Sequence, residues 1–210
     1  MSRARLLFDL DGTLSDPLQG IGRSINHALE CHGHRPHPLE ELGSCIGPPL
    51  AQIFTALTGE HDVDHYVASY RERYGESGYA ENTLYPGVAQ ALDALAGASI
   101  PMAVCTSKRA DFAERILDRF GLRGHFAFVD GGDGSVHKRE QVAALRTRGL
   151  VDDATLMIGD RATDLVAAHD NGLPSAGVLW GYGSHEELAT QRPRHLFASP
   201  REWLQFVPER

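Results

Sequence analysis

The chain has 210 residues, of which 42% are hydrophobic, 8% aromatic and 23% charged. That composition excludes wholesale disorder and supplies enough apolar material for one large domain or one domain with a lobe. Twenty-eight acids against 20 bases leave a net charge of -8, without the basic excess of a nucleic-acid polymer binder or of a protein drawn to anionic membranes. No run approaches a transmembrane length. The apolar stretch before Asp9 is only Leu6 to Phe8, too short for a signal peptide. Three cysteines, an odd and small number, argue against a disulfide framework, so the expectation is a reduced, cytoplasmic protein, monomeric or homodimeric.

In chain order, a short strand is predicted over Leu6–Leu10. An all-helical block follows from about Asp16 to Asn82. Its stripes are Leu18, Ile21, Ile25 and Leu29; then Leu50, Ile53, Phe54 and Leu57 after Pro48-Pro49; then Val63, Tyr66, Val67, Tyr70 and Tyr74. After Tyr85-Pro86-Gly87 a helix is expected through Val88, Leu92 and Leu95. Strands are then expected at Pro101–Thr106, Phe126–Asp130, Thr155–Gly159, Ser175–Trp180 and His195–Ala198. Between them run helical stripes through Phe112, Ile116 and Phe120, through Val142 and Leu145, and through Leu165, Val166 and Ala168. Ser184 with Glu187 and Ser199 with Glu202 have capping-box spacing. The strands are apolar runs without alternation, as in a parallel sheet buried on both faces. The predicted fold is α/β: a doubly wound, Rossmann-like parallel core from 1–15 and 83–210, with residues 16–82 inserted as a helical cap.

Four signals carry chemistry. In Asp9-Leu10-Asp11-Gly12-Thr13, the strand period of two sets both acids on one side as the chain leaves the sheet, and Gly12 permits the turn. Two such carboxylates repel unless a cation separates them, and hard oxygen ligands suit Mg²⁺. Asp160 and Asp164 stand four apart after another strand, so Asp164 can face the same site one helical turn on; helix capping by Asp160 is the simpler alternative. Thr106 and Ser107 end a third strand, where a hydroxyl and free N–H groups can hold phosphate oxygens. Lys138 precedes a helix and can neutralise a phosphate, although a lone lysine is usually solvated. Each signal follows a different strand, and all would meet at the carboxyl edge where open α/β sheets bind ligands.

Taken in order, DLDGT (Asp9–Thr13), VCTS (Val104–Ser107), Lys138 and GDRATD (Gly159–Asp164) resemble the haloacid dehalogenase superfamily of phosphatases over nearly the whole chain. Within it the chain looks like the phosphoglycolate phosphatase-like group. The stretches GIGRSINHAL, CIGPPL and MIGDRATD look most like its 5'-nucleotidase-like branch. The resemblance implies a Mg²⁺-dependent phosphatase acting on a small phosphate monoester. Asp9 would be the nucleophile forming an aspartyl-phosphate, and Asp11 the general acid and base. The metal would be held by the Asp9 carboxylate, the Asp11 carbonyl and Asp160, with Asp164 binding metal-bound water or orienting Lys138. Thr106, Ser107 and Lys138 would stabilise phosphoryl oxygens, and Gly12 would lie at the phosphate. The superfamily's dehalogenases lack an Asp11 equivalent, so Asp11 argues against cleavage of a carbon–halogen bond. The group's usual Lys-Pro-x-Pro is here Lys138-Arg139-Glu140-Gln141.

Other features carry less. Gly20-x-Gly22 follows no strand and is not a dinucleotide fingerprint. Gly131-Gly132-Asp133-Gly134 reads as a loop delivering Lys138. Cys31, His32, His34 and His37 match no zinc spacing. Tyr66, Tyr70 and Tyr74 read as cap core, and Cys105 as strand packing. Arg23, Gly47 and Pro48 are the cap's candidates for substrate contact, Arg23 being equally readable as a solvated helix residue. A phosphosugar mutase of the β-phosphoglucomutase type would share the aspartyl-phosphate. A receiver-like signalling module would also use acids, a hydroxyl and a lysine, but places its phosphorylated Asp on a later strand than the acidic pair.

Overall fold

The structure is a computed structural model and describes residues 5–132 and 137–208. The chain divides into two units. One comprises residues up to Ser15 and from Leu84 onward; the other is Asp16–Thr83.

The first unit is organised around β1 (Leu6–Phe8), which is buried on both faces and pairs in parallel with two strands distant in sequence. These are β4 (Met102–Arg109) on one side and β6 (Leu156–Gly159) on the other. Outside them lie β5 (Phe126–Gly132), β7 (Ser175–Val178) and β8 (His195–Phe197), in the order β5-β4-β1-β6-β7-β8. The pairings in this sheet are all parallel. The chain's progression reverses at β1, the kind of switch point outside whose carboxyl strand ends open α/β sheets bind ligands. The two-residue strands β2 (Ser15–Asp16) and β3 (Thr83–Leu84) pair where the chain leaves and rejoins this unit.

Among the described residues, five helices connect the strands: α4 (Val88–Gly97), α5 (Ala110–Arg119), α6 (Lys138–Thr147), α7 (Ala162–Asp170) and α8 (His185–Thr190). One face of the sheet packs Leu7, Ala103, Cys105 and Met157 with Val142 and Leu145 of α6 and Ala167 and Ala168 of α7. An aromatic cluster is built on Phe8, whose ring lies 6.3 Å from Phe126 and 4.9 Å from Trp203. Trp203 lies in a 3₁₀ turn over Pro200–Phe206, where the capping signal pointed to a helix. Ser199 and Glu202 form the expected reciprocal cap there.

The second unit is helical: α1 (Leu18–Cys31), α2 (Leu50–Thr58), α3 (Asp64–Glu76) and 3₁₀ turns at Leu39–Cys45 and Gly78–Glu81. Phe54 stacks on Tyr66 at 5.4 Å and Tyr70 on Tyr74 at 5.5 Å, and all three tyrosines are buried. They are core, as their spacing suggested. Gly20 serves close packing: a Cβ there would meet the Gly78 carbonyl oxygen at 2.0 Å.

β1 and β7, expected to run to Leu10 and Trp180, end at Phe8 and Val178, while two other strands run past their expected ends. β4 runs past Thr106 to Arg109, and β5 runs on through Gly131 and Gly132, which are strand residues rather than a loop. A Cβ at Gly131 would meet the Ala110 nitrogen at 2.5 Å, and one at Gly132 the Ser107 carbonyl oxygen at 2.8 Å. Absence of these side chains lets the strands stay paired past the expected end. Asp133 and Gly134 of the expected loop lie outside the described residues.

Trp203 is fully buried, and its Nε1 has no hydrogen-bond partner among the described residues. Its contribution is therefore packing. Trp203→Ala should cost about 3–5 kcal/mol in urea unfolding, and Trp203→Phe, which keeps a ring against Phe8, clearly less.

Candidate active site

Asp9 follows β1 directly, its N–H donating to the Ile158 carbonyl at 2.9 Å. Asp160 follows β6, the adjacent strand, and Asp164 is the third residue of α7. One carboxylate oxygen from each of these three buried acids lies within 4.8 Å of the others. Lys138 is the first residue of α6 rather than a residue before it. Its ammonium lies 2.7 Å from Asp9 Oδ1 and 2.5 Å from Asp164 Oδ1. The absence of the Pro-containing pattern after Lys138 does not prevent this placement.

Asp164 uses both oxygens: Oδ1 accepts from Lys138, and Oδ2 accepts from the Arg161 N–H at 3.0 Å. Arg161, not Asp160, is the N-cap of α7, which removes the simpler reading of Asp160 as a helix cap. Asp160 is gripped instead by its neighbours. Its Oδ2 accepts from the Tyr182 N–H at 2.8 Å, and its Oδ1 lies 3.4 Å from the Thr13 hydroxyl, which donates.

Glycines permit this crowding. Gly12 has φ +83, and a Cβ on it would meet Asp160 Oδ2 at 2.2 Å. A Cβ on Gly181 would meet Asp160 Cβ at 2.3 Å and the Gly12 carbonyl oxygen at 2.4 Å. The Trp180 indole donates to the Thr13 carbonyl at 3.0 Å. The segment Trp180–Gly183 therefore holds Asp160 and the Gly12–Thr13 turn together. Its strand was predicted but its role was not; two glycines around Tyr182 after a strand were the available signal.

The Asp11 carboxylate is not in the three-acid cluster. Its Oδ2 pairs with Lys108 Nζ at 2.8 Å, and its Oδ1 is buried without a hydrogen-bond partner among the described residues. Lys108 was also missed, because a lysine beside a strand end carries no distinguishing pattern. Thr106 is buried and its hydroxyl accepts from the Lys108 N–H at 3.2 Å, while the Ser107 side chain is exposed. Both lie within β4 rather than in a strand-to-helix turn. Gln141, one turn into α6, donates to the Thr106 carbonyl at 3.0 Å and fixes that strand end.

Burial dominates the electrostatics. It pushes Asp160 up to about 8, helped by the charges of Asp164 and Asp9. It raises Asp164 and Asp11 as well, against the opposing pull of Lys138 and Lys108 respectively. Burial disfavours the Lys138 ammonium, but Asp164 and Asp9 outweigh it and hold its pKa above the usual lysine value. Burial also pushes the Cys105 thiol up, so it is a packing residue and not a thiolate nucleophile. Asp9, Asp11, Asp160 and Asp164 against Lys108 and Lys138 leave two excess negative charges when all are ionised. A hard divalent cation among oxygen ligands matches both that charge and the donor set.

In the helical unit, Arg23 is half-exposed and donates to Glu81 at 3.1 Å, a carboxylate also held by Arg73 at 3.0 Å. Gly47, with φ +110, and Pro48 are exposed. Cys31, His32, His34 and His37 do not come together as a metal-ligating group among the described residues.

A family model for haloacid dehalogenase-like hydrolases matches residues 6–178. The chain belongs to this family. Among its relatives is a 5'-nucleotidase from Pseudomonas aeruginosa, 40% identical over 92% of this chain and 90% of its own length. A phosphoglycolate phosphatase from Agrobacterium fabrum is 30% identical over 84% of this chain and 80% of its own. The tyrosine-protein kinase PtkA of Mycobacterium tuberculosis is 36% identical over 85% of this chain and 62% of its own. A solved haloacid dehalogenase-like hydrolase from Streptococcus pneumoniae superposes with a TM-score of 0.89 at 26% identity, covering 99% of each chain. As a member of this family the chain is a hydrolase, with the α/β Rossmann-like core already described. No helix among the described residues is long and apolar enough to cross a membrane.

Two predictions test the site. With its pKa raised from 3.8 to about 8, Asp160 holds a proton in the metal-free fold that the unfolded chain has lost. Metal-free stability should therefore fall as pH rises between those values. At one fixed concentration, Mg²⁺ should raise the melting temperature more at pH 8 than at pH 5; a concentration 100 times the Kd at pH 8 stabilises the fold by about 2.7 kcal/mol there. Gly181→Ala should displace Asp160 and weaken Mg²⁺ binding by about 10–100-fold in calorimetric titration. Unchanged affinity would remove the loop's role.

Proposed function

We propose that this hydrolase releases phosphate from a small soluble monoester, a 5'-nucleotide or phosphoglycolate, through a phosphoaspartyl intermediate on Asp9. The observation that carries the reading is the sorting of the two acids of DLDGT. Asp9 sits with Lys138 among Asp160 and Asp164, while Asp11 stands apart on Lys108. Asp9, beside the Lys138 ammonium and among carboxylates that would hold a cation, is the acid we assign as nucleophile. The other, Asp11, keeps a buried oxygen without a hydrogen-bond partner among the described residues, suited to proton transfer.

In this mechanism Asp9 attacks phosphorus and the leaving oxygen takes a proton from Asp11. Asp11 then draws a proton from the water that hydrolyses the phosphoaspartate. Lys138 offsets charge on the phosphoryl oxygens, and Asp164 keeps its ammonium aimed at Asp9. The Thr106 hydroxyl and the Ser107 N–H are proposed to hold the same oxygens, with Gly12 beside them. Asp9, Asp160 and Asp164, with the Asp11 carbonyl, would hold Mg²⁺, which when bound offsets the charge of the carboxylates and of the substrate. Gly47 and Pro48 are proposed to set substrate preference. Arg23, already tied to Glu81, is the weaker contact.

Phosphate release is to be measured from nucleoside 5'-monophosphates, phosphoglycolate and sugar phosphates, with Mg²⁺ and with chelator. The reading expects chelator-sensitive release of free phosphate, lost by at least about 10³-fold in Asp9→Asn. An isomerised sugar phosphate without free phosphate would point to a mutase. Transfer from a nucleoside triphosphate to a tyrosyl peptide, with no monoester hydrolysis, would overturn the reading in favour of the kinase relative's activity. Replacing Gly47–Pro49 should change preference among these substrates more than turnover of p-nitrophenyl phosphate.

A further inference from the structure

Lys108 has no part in the mechanism above, yet its placement is specific. Its side chain is 7% exposed and its ammonium lies 2.8 Å from Asp11 Oδ2. A lysine on a solvated face does not bury its charge; one that does so is paired. The backbone beneath it is fixed from two directions: its N–H donates to the Thr106 hydroxyl, and the Thr106 carbonyl accepts from Gln141. The neighbouring Asp9 carboxylate has Lys138. The two acids are therefore sorted to different lysines from different elements, β4 and α6. With Oδ2 engaged, Oδ1 is the Asp11 oxygen left without a partner among the described residues.

We propose that Lys108 is a positioning residue for proton transfer: it clamps the Asp11 carboxyl group by Oδ2 and so makes Oδ1 the oxygen that protonates the leaving group. The proposal rests on the phosphatase reading of this site. As the bond from Asp9 to phosphorus forms, the bond from phosphorus to the leaving oxygen breaks, and its electron pair stays on that oxygen. The proton on Asp11 Oδ1 moves to it, leaving an Asp11 carboxylate still held by the Lys108 ammonium. In hydrolysis, water's oxygen bonds to phosphorus, its proton returns to Oδ1, and the bond from phosphorus to Asp9 breaks.

Phenyl phosphate and p-nitrophenyl phosphate are close in size but differ in the basicity of the leaving oxygen, so the first needs an acid far more than the second. The quantity to compare is kcat/KM, which reports through the first phosphoryl transfer, for wild type, Lys108→Met, Lys108→Arg and Asp11→Asn. Lys108→Met should lose about tenfold more activity on phenyl phosphate than on p-nitrophenyl phosphate. It should approach the ratio of Asp11→Asn, and Lys108→Arg should recover part of the difference. Thermal unfolding checks that each variant is folded; Lys108→Gln is read by the same ratio if the methionine variant is not. Equal losses on both esters, or none, with an active wild type would overturn the role of Lys108 while leaving the phosphatase reading intact. A wild type inactive on both esters and on the metabolite panel would overturn that reading, and this proposal with it.

Discussion

Four carboxylates converge on the carboxyl edge of one sheet, and among the described residues two ammonium groups stand with them. Burying like charges together is costly unless each finds a partner or a cation joins them. The local structure follows that constraint. Lys138 is drawn between Asp9 and Asp164, Lys108 takes Asp11, and Asp160 is held by a backbone N–H and the Thr13 hydroxyl. Among the described residues Asp160 pairs with no lysine of its own, and burial pushes its pKa up to about 8. The remaining charge deficit is one that a divalent cation at this edge would offset.

The fold meets the constraint by bringing backbones unusually close. Gly12 and Gly181 leave room for Asp160, and Gly159 leaves room for Asp164, whose Cγ would lie 2.3 Å from an added Cβ. Glu187 accepts from Ala162 N–H at 2.8 Å and from Arg161 Nε at 3.1 Å, tying the start of α8 to the start of α7. Ser184 caps α8 through the Glu187 N–H at 3.0 Å. The acids are thus set on elements that are locked to one another, which is what precise placement of a reacting group requires.

The parallel sheet was legible because strands buried on both faces are written as short apolar runs, such as Leu6–Phe8 and Leu156–Gly159. The DLDGT and GDRATD acids were legible because paired carboxylates at strand ends have few structural uses. The end of β4 was not, since its extension depends on Gly131 and Gly132 in another strand. Lys108 and the Trp180–Gly183 segment were invisible for a related reason. Each acts through a partner brought near by strand order, and strand order is not written in any local pattern. Lys138 differs again: read as a residue before its helix and singled out by the order of the motifs, it is the first residue of α6, without the prolines of the related motif.

The central claim is that Asp9, among Lys138, Asp160 and Asp164, carries the phosphoryl group between substrate and water. Rapid acid quench of the Mg²⁺-loaded enzyme during turnover, followed by peptide mass spectrometry, tests it directly. The account predicts a phosphate adduct on the peptide containing Asp9, located at that residue, forming and decaying at rates that match phosphate release. Turnover without a covalent phosphate, or with the phosphate on another side chain, would contradict it.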